Sequence, residues 1–191
     1  MEEEYSSLIT NGTWKLVPKP PNRSVIKNRW IFKKKLGLGE EIRFKARLVA
    51  KGFTQRDGID FTETFSPVVK LDSLRAVLAI INSNYLDIIL VDVKTAFLNG
   101  DLQEKLYMEQ PPLFSSPGKE DMVCLLKKSL YGLRQAFWTW SIKFTSCMMH
   151  FGLVQSDADP CVFYQQEGNS FTIVAVWVDD GIVGSSNPKK L

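Results

Sequence analysis

Two apolar stretches of this chain end in aspartate. Residues 86–91 are followed by Asp92, and residues 171–178 are followed by Asp179 and Asp180. Both stretches are rich in valine and isoleucine, which is typical of strands buried in a sheet. A carboxylate at the end of a buried strand is held at the mouth of a rigid sheet. Two such strands lying side by side would therefore gather three carboxylates.

Further strands are predicted by shorter runs in which apolar and polar residues alternate. Residues 29–36 and 41–50 flank a glycine-bearing turn at 37–40, which predicts a two-stranded hairpin. Residues 161–164 would form a second hairpin with 171–178 through the turn at 167–170. Additional short strands are expected at residues 105–109 and 123–127.

Two helices complete the pattern. Leu74, Val77, Leu78 and Ile81 have the spacing of one helical stripe, so a helix is predicted from a cap at Asp72-Ser73 to about Asn82. A second helix is predicted over residues 135–150. Gly181 is expected to allow an unusual backbone in a tight turn after the paired aspartates. The order of elements predicts an α+β fold with mainly antiparallel pairing.

The three aspartates suggest a cation site. Three neighbouring anions repel one another by several kcal/mol at the dielectric constant of a protein unless a cation lies among them. Carboxylate oxygens without histidine or cysteine favour Mg²⁺ or Mn²⁺. The first hypothesis is therefore two-metal phosphoryl or nucleotidyl transfer. The alternative, the metal-binding strand of a P-loop nucleoside triphosphatase, requires a G-x-x-x-x-G-K-[ST] loop that the sequence lacks.

Composition and charge narrow the choice of function. The 191 residues carry a net charge of +3, and nine lysines and arginines fall between Lys27 and Lys51. This basic segment suits phosphate binding, or else it is an ordinary solvated hairpin face. One histidine and three cysteines without a Cys-x-x-Cys pair disfavour zinc and Cys-His chemistry and fit a reducing compartment. The acidic N-terminus has no signal-peptide core, and no apolar run approaches the roughly 20 residues that span a bilayer.

Seven sequence blocks occur in an order that closely resembles the reverse transcriptase domain of copia-type LTR retrotransposon polyproteins. The likeness runs from about Asn11 to Gly184. The blocks are Lys45-Ala-Arg-Leu-Val-Ala-Lys-Gly-Phe-Thr-Gln55, Gly58-Ile-Asp-Phe61, Thr64-Phe-Ser-Pro-Val68, Asp92-Val-Lys-Thr-Ala-Phe-Leu-Asn-Gly-Asp-Leu102, Tyr107-Met-Glu-Gln-Pro111, Lys128-Ser-Leu-Tyr-Gly-Leu-Arg-Gln-Ala136 and Val178-Asp-Asp180.

The resemblance implies an RNA-directed DNA polymerase of right-hand shape, with fingers and palm. It implies that Asp92, Asp179 and Asp180 are the catalytic, metal-binding aspartates. Asp92 and Asp179 would be direct ligands, and Asp180 would assist one ion or tune the charge. Two ions, Mg²⁺ or Mn²⁺, would activate the primer 3′-hydroxyl and hold the triphosphate.

The same resemblance implies six nucleotide-binding residues. Phe97 would be a steric gate against a 2′-hydroxyl. Without the resemblance, a phenylalanine packed in the core beside the strand would be the preferred interpretation of this residue. Lys45 and Arg47 share one strand face, and which of them would contact the triphosphate stays open. Tyr131, Gly132 and Gln135 would pack on the nucleotide and template base, with ordinary packing as the alternative for Tyr131.

The expected organisation is one reverse transcriptase domain over residues 1–191, with thumb and ribonuclease H absent. It would comprise an N-terminal arm (1–24), a fingers-like basic hairpin and loop (25–71), and a mainly palm region with interleaved fingers elements (72–191). The implied partners are an RNA or DNA template with primer, deoxynucleoside triphosphates, and the integrase and ribonuclease H of the Pol polyprotein, without a membrane. The resemblance also implies a cytoplasmic location in virus-like particles.

Several residues depart from the family pattern. Phe137 and Trp138 stand where the family has proline and a polar residue, Trp177 replaces a tyrosine, and Leu113 stands where glycine is common. These departures leave two alternatives open. One is an inactive retrotransposon relic with weak nucleic-acid binding, and the other is a structural nucleic-acid-binding module that needs no metal.

Overall fold

The computed structural model describes residues 1–36 and 42–190 of the chain. No helix formed by these residues is long and apolar enough to cross a membrane. The described elements are the helices α1 (Glu2–Thr10), α2 (Leu71–Ser83) and α3 (Ala136–His150), and the strands β1 (Trp14–Pro18), β2 (Val25–Ile26), β3 (Asn28–Leu36), β4 (Ile42–Ala50), β5 (Asp87–Asp92), β6 (Tyr107–Met108), β7 (Met122–Leu126), β8 (Val154–Gln155), β9 (Val162–Glu167), β10 (Ser170–Trp177) and β11 (Asp180–Ser185).

The chain divides into two compact units, and the first contains Met1–Thr64 and Phe97–Trp140. This unit holds a four-stranded sheet in the order β1-β7-β6-β2 and the separate pair β3-β4. All of these neighbours are antiparallel except β2 and β6, which run parallel. Together with the second unit, this arrangement confirms the predicted α+β class. The segment expected as an N-terminal arm contains α1 and β1.

The β3-β4 pair confirms the predicted hairpin, whose turn at 37–40 lies outside the described residues. Its register gives the two faces different chemistry, because side chains alternate along each strand. One face carries mostly basic pairs, and the other is mainly apolar and aromatic. The basic face includes Arg29↔Val49, Ile31↔Arg47, Lys33↔Lys45 and Lys35↔Arg43, and the apolar face includes Trp30↔Leu48, Phe32↔Ala46 and Lys34↔Phe44.

The second unit contains Phe65–Ala96 and Ser141–Leu191 and is built on a five-stranded sheet in the order β5-β11-β10-β9-β8. Every neighbouring pair in this sheet is antiparallel. The central strand β10 is buried on both faces, since Ile173 and Ala175 belong to one apolar cluster and Val174 and Val176 to another. The first cluster includes Val77 and Ile81 of α2, and α3 residues pack against the second.

Strand β5 is less buried than its sequence predicted. Ile88 is 47% exposed and Leu90 is 78% exposed, although both belong to the apolar stretch that precedes Asp92. The reason is its position in the sheet, because β5 is hydrogen-bonded to β11 on one side and has no second neighbour among the described strands. The prediction of a buried strand was therefore right for β10 and wrong for β5.

Helix α2 begins differently from the prediction. It starts at Leu71 with Lys70 as N-cap, and Lys70 makes no side-chain capping bond. The carboxylate of Asp159 instead accepts hydrogen bonds from the Lys70 N–H at 2.9 Å and from the Cys161 N–H at 3.0 Å. Burial alone would raise the pKa of Asp159, but hydrogen bonds from Lys70, Ser73 and Cys161 hold that pKa below its usual value of 3.8.

We expect Asp159→Asn to lower the free energy of unfolding at pH 7 by about 1.5–3 kcal/mol, because buried N–H groups lose a charged acceptor. A carboxylate with a lowered pKa in the folded state stabilises the fold above its unfolded pKa, and this contribution is lost as the pH falls through the folded pKa. Urea unfolding at pH 7 and at steps below pH 4 checks this. The difference in free energy of unfolding between the wild-type chain and Asp159→Asn should become smaller as the pH falls. Asp157→Asn, at an exposed neighbouring position, should unfold like the wild-type chain at every pH.

Candidate functional site

Asp92 and Asp180 form the last rung of the β5-β11 ladder. The register pairs Asp180 with Asp92, after Val91 with Gly181 and Leu90 with Ile182. Directly opposed residues in an antiparallel pair project to the same face, with Cα atoms about 4.5–5.5 Å apart. Both aspartates are solvent-exposed. The predicted pairing of residues 86–91 with residues 171–178 is wrong, because β11 lies between β5 and β10 in the sheet. Asp92 is brought next to Asp180 by β11, the strand that follows the loop after β10.

Asp179 lies in the two-residue loop, Val178-Asp179, that joins β10 to β11. Its carbonyl oxygen accepts a 2.7 Å hydrogen bond from the N–H of Val93, the residue that follows Asp92. The backbones that carry all three aspartates are therefore linked at one end of the sheet. Asp180, rather than Asp179, is the direct cross-strand partner of Asp92.

The unusual backbone of this turn falls on Val178 and not on Gly181 as predicted. Val178 has a φ of +63°, a conformation that β-branched residues rarely adopt. Gly181 lies in extended β11, where a Cβ would come within 3.1 Å of both the Ala175 carbonyl and the Val91 side chain. The glycine therefore serves close packing, whereas the conformational strain lies one residue before the aspartates.

The acidic end of the sheet has the donor chemistry of a Mg²⁺ or Mn²⁺ site, because carboxylate oxygens are the ligands of hard cations. In the described residues, however, no three His, Cys, Asp or Glu side chains lie close enough together to hold a metal ion. The backbone arrangement thus fits a cation site, but the side chains do not form a complete ligand set. The predicted metal-binding roles of Asp92, Asp179 and Asp180 stay predictions.

In the first unit, four of the six predicted nucleotide-binding residues line one cavity. It has a volume of about 320 Å³ and lies against the basic face of the hairpin. The Arg47 guanidinium lies 4.7 Å from the centre of the Tyr131 ring, within cation–π distance. The lining consists of Ile31, Lys33, Lys45, Arg47, Val49, Tyr131 and Gly132.

Phe97 lies behind Tyr131. The two rings meet edge to face with centroids 5.0 Å apart, and Phe97 makes a similar contact with Phe137 at 4.8 Å. Phe97 is 7% exposed, so in the first unit it packs as a core residue. Its role as a steric gate stays a prediction.

Gln135 is fully buried in this structure. Its side-chain oxygen accepts a hydrogen bond from the Gln55 amide at 2.9 Å, and its own amide donates to the Asp60 carbonyl at 2.9 Å. These bonds connect the segment at 131–135 to the loop that follows β4. A direct contact between Gln135 and a nucleotide stays a prediction, while its observed contacts are internal.

Two residues near the cavity were missed by the sequence analysis. Gln55 appeared only as the last residue of a family block, and nothing in its spacing indicated a buried partner 80 positions away. Glu4 belongs to an acidic run that was considered only as part of an arm. Burial raises the pKa of Glu4, while a hydrogen bond from the Leu48 backbone and the charges of Arg47 and Lys45 oppose that rise. An acidic group thus lies beside the basic strand.

The chain belongs to the reverse transcriptase family. The family described as reverse transcriptase (RNA-dependent DNA polymerase) matches residues 11–191.

Several curated relatives are Pol polyproteins of transposons, and the resemblance to copia-type elements is confirmed. The chain is 49% identical over 185 residues to the retrovirus-related Pol polyprotein from transposon TNT 1-94 of Nicotiana tabacum, covering 96% of this chain and 14% of that protein. It is 42% identical over 193 residues to the corresponding protein from transposon RE1 of Arabidopsis thaliana, covering 100% and 13%. It is 31% identical over 195 residues to the Transposon Ty1-DR4 Gag-Pol polyprotein of Saccharomyces cerevisiae, covering 97% and 11%. The chain thus spans about one seventh of the length of the first of these polyproteins and a smaller share of the other two.

Proposed function

We propose that this chain is the catalytic core of an RNA-directed DNA polymerase that extends a primer 3′-hydroxyl with deoxynucleoside triphosphates. The observation that carries the proposal is the pairing of Asp92 with Asp180 at the end of the β5-β11 ladder, with the Asp179 carbonyl hydrogen-bonded to Val93. Family membership supports the same reaction. The template with its primer and the remainder of the Pol polyprotein are the proposed partners.

In this proposal the three aspartates hold two divalent cations, Mg²⁺ or Mn²⁺. Bound ions of this kind lower the pKa of an attacking hydroxyl and stabilise charge on a transferring phosphate. The residues of the chain set where this chemistry occurs. Strands β5 and β11 fix the backbones of Asp92 and Asp180, and the short loop limits the positions available to Asp179. The strained Val178 would contribute to that restriction.

The basic cavity of the first unit is proposed to bind triphosphate oxygens. Arg47 is the better candidate for the specific contact, because its guanidinium is already oriented over Tyr131, while Lys45 is exposed. Arginine presents a planar set of donors that matches phosphate oxygens, and lysine is not equivalent to it at a stacked position.

Two charge-conserving variants separate these residues. We expect Arg47→Lys to raise the KM for the nucleotide about tenfold, since the stacked guanidinium is lost while the charge is kept. Lys45→Arg should change the KM less than about threefold. Steady-state incorporation at varied nucleotide concentration measures both, with Lys34→Ala on the opposite hairpin face as control. A larger effect of Lys45→Arg would reverse the assignment.

Primer extension tests the proposed function itself. The purified 191-residue chain is incubated with a primed RNA template, Mg²⁺ or Mn²⁺, and one nucleotide at a time. The proposal predicts extension only with the nucleotide complementary to the template base. Binding of template–primer without any extension would reject catalysis by this chain and support the second candidate.

The second candidate is a relic that binds nucleic acid without catalysing a reaction. Two observations favour it. The described His, Cys, Asp and Glu side chains form no group of three that could hold a metal ion, and Leu113 adopts a φ of +71°, a conformation that glycine adopts more easily than leucine. The basic hairpin face alone would give salt-sensitive binding that needs no divalent cation.

A further inference from the structure

We propose that Gln55 and Gln135 form a buried positioning pair that holds Tyr131 in place beneath Arg47. The inference rests on the proposed function, because it explains how the basic cavity keeps one geometry for a nucleotide. Neither glutamine lines the cavity. Both act through the segment that carries Tyr131 and Gly132, so they are positioning residues and not catalytic ones.

The first step is a close crossing of two backbone segments. The Ala50 N–H donates a 2.8 Å hydrogen bond to the Tyr131 carbonyl. A Cβ on Gly132 would lie 2.1 Å from the Ala50 carbonyl oxygen, and a Cβ on Gly52 would lie 2.1 Å from the Gly132 carbonyl oxygen. The end of β4 and the Tyr131-Gly132 segment thus approach as closely as two glycines permit.

The second step is the pair of amides beside this crossing. Gln55 is 7% exposed and Gln135 is 0% exposed. The Gln55 amide nitrogen donates to the Gln135 oxygen at 2.9 Å, and the Gln55 oxygen accepts from the Arg134 N–H at 2.9 Å. Buried polar groups stabilise one arrangement when all their partners are present, and loss of one partner leaves an unsatisfied group.

The third step links these bonds to the cavity. The Tyr131–Gln135 segment is tied at its start by the Ala50–Tyr131 bond and further along by the Gln55–Arg134 and Gln55–Gln135 bonds. The Tyr131 ring contacts Arg47 on its face and Phe97 near an edge. Removing the amide of Gln55 releases one end of this segment, which lets the ring move away from Arg47 without changing any residue of the cavity wall.

The test combines a structural readout with a kinetic one. Gln55→Met keeps the side-chain volume and removes the amide. The chain is labelled with fluorotyrosine, and Tyr131→Phe identifies the Tyr131 resonance among the five tyrosines. We expect Gln55→Met to shift or broaden the Tyr131 resonance and to raise the nucleotide KM about tenfold, while kcat falls less than threefold, because displaced binding groups mainly weaken substrate positioning.

Thr172→Val is the matched control. It removes a buried hydroxyl that is 2.9 Å from the Ser185 hydroxyl in the second unit, so it tests for a general loss of stability. The control should leave the Tyr131 resonance unchanged. If Gln55→Met does not fold, Gln55→Asn replaces it, because it keeps a polar amide in the buried site but is one methylene too short to hold both Gln135 and the Arg134 N–H.

The outcomes separate the inference from the function. An unchanged Tyr131 resonance in a folded glutamine variant overturns the positioning role, and so does an equal change in Thr172→Val. A shifted resonance with a raised KM supports it. If the wild-type chain extends no primer but the Tyr131 resonance still shifts in the glutamine variant, the positioning role is supported. Only the proposed polymerase function is then rejected.

Discussion

Replacing Asp92 with asparagine is expected to lower the rate of primer extension at least about a thousandfold. Asparagine keeps the size of the side chain and removes the charge that would hold a divalent cation. Stabilisation of transition-state charge by a bound cation is worth several kcal/mol, and about 4 kcal/mol corresponds to a thousandfold change in rate. Single-nucleotide incorporation on a primed RNA template measures the loss.

Asp87→Asn is the control for this substitution. Asp87 lies at the opposite end of the same strand, pairs with Ser185 and is exposed like Asp92. It carries the same charge on the same edge of the sheet, so Asp87→Asn should retain the wild-type rate within about twofold. Equal losses in the two variants would mean that the strand needs its charge in general, and the assignment of Asp92 would be wrong.

Gly132→Ala is expected to destabilise the chain by at least about 2 kcal/mol. Gly132 has a φ of +91°, and its added Cβ would lie 2.1 Å from a backbone oxygen that is held by β4. Backbone strain and overpacking each contribute about 1–3 kcal/mol, and neither can relax by moving a flexible side chain. Thermal unfolding should show a melting temperature lower by at least about 4–8 °C.

Gly58→Ala separates the two contributions in this prediction. Gly58 also has a positive φ, of +71°, but a Cβ there would meet nothing within 4 Å. Gly58→Ala should therefore lower the free energy of unfolding by only about 1–2 kcal/mol, which is the cost of holding alanine instead of glycine in the left-handed conformation. If Gly132→Ala and Gly58→Ala cost the same, the close crossing with β4 does not contribute to stability.

The local elements were predictable from the sequence because they follow short-range patterns. The alternating residues of the basic hairpin, the stripe of α2 and the Val-rich run of β10 each gave the right type of element. The sequence also placed Asp92, Asp179 and Asp180 at one end of one sheet, although the strand beside β5 is β11 and not the predicted β10. Lys45 and Arg47 line the same cavity, because residues two positions apart on a strand project to the same face.

The remaining features depend on contacts between distant residues. The apolar run of β5 does not reveal that it has one strand neighbour among the described residues, so its exposure could not be predicted. The role of Asp159 at the start of α2 joins residues 89 positions apart. Gln55 and Gln135 are ordinary polar residues until the fold buries them together. Val178 carries the strained backbone because it lies in the two-residue loop between β10 and β11. The sequence analysis assigned the unusual backbone to Gly181, because glycine is the residue that adopts such conformations most easily.

Binding of Mn²⁺ is the most direct test of the central claim, that Asp92, Asp179 and Asp180 form the cation site of a polymerase. Electron paramagnetic resonance measures free Mn²⁺ as the chain is titrated, and it does not depend on catalysis. The account predicts saturable binding that Asp92→Asn weakens at least about tenfold, since one charged ligand is lost, and that Asp87→Asn leaves unchanged. Equal Mn²⁺ affinity in the wild-type chain and in Asp92→Asn would contradict the account.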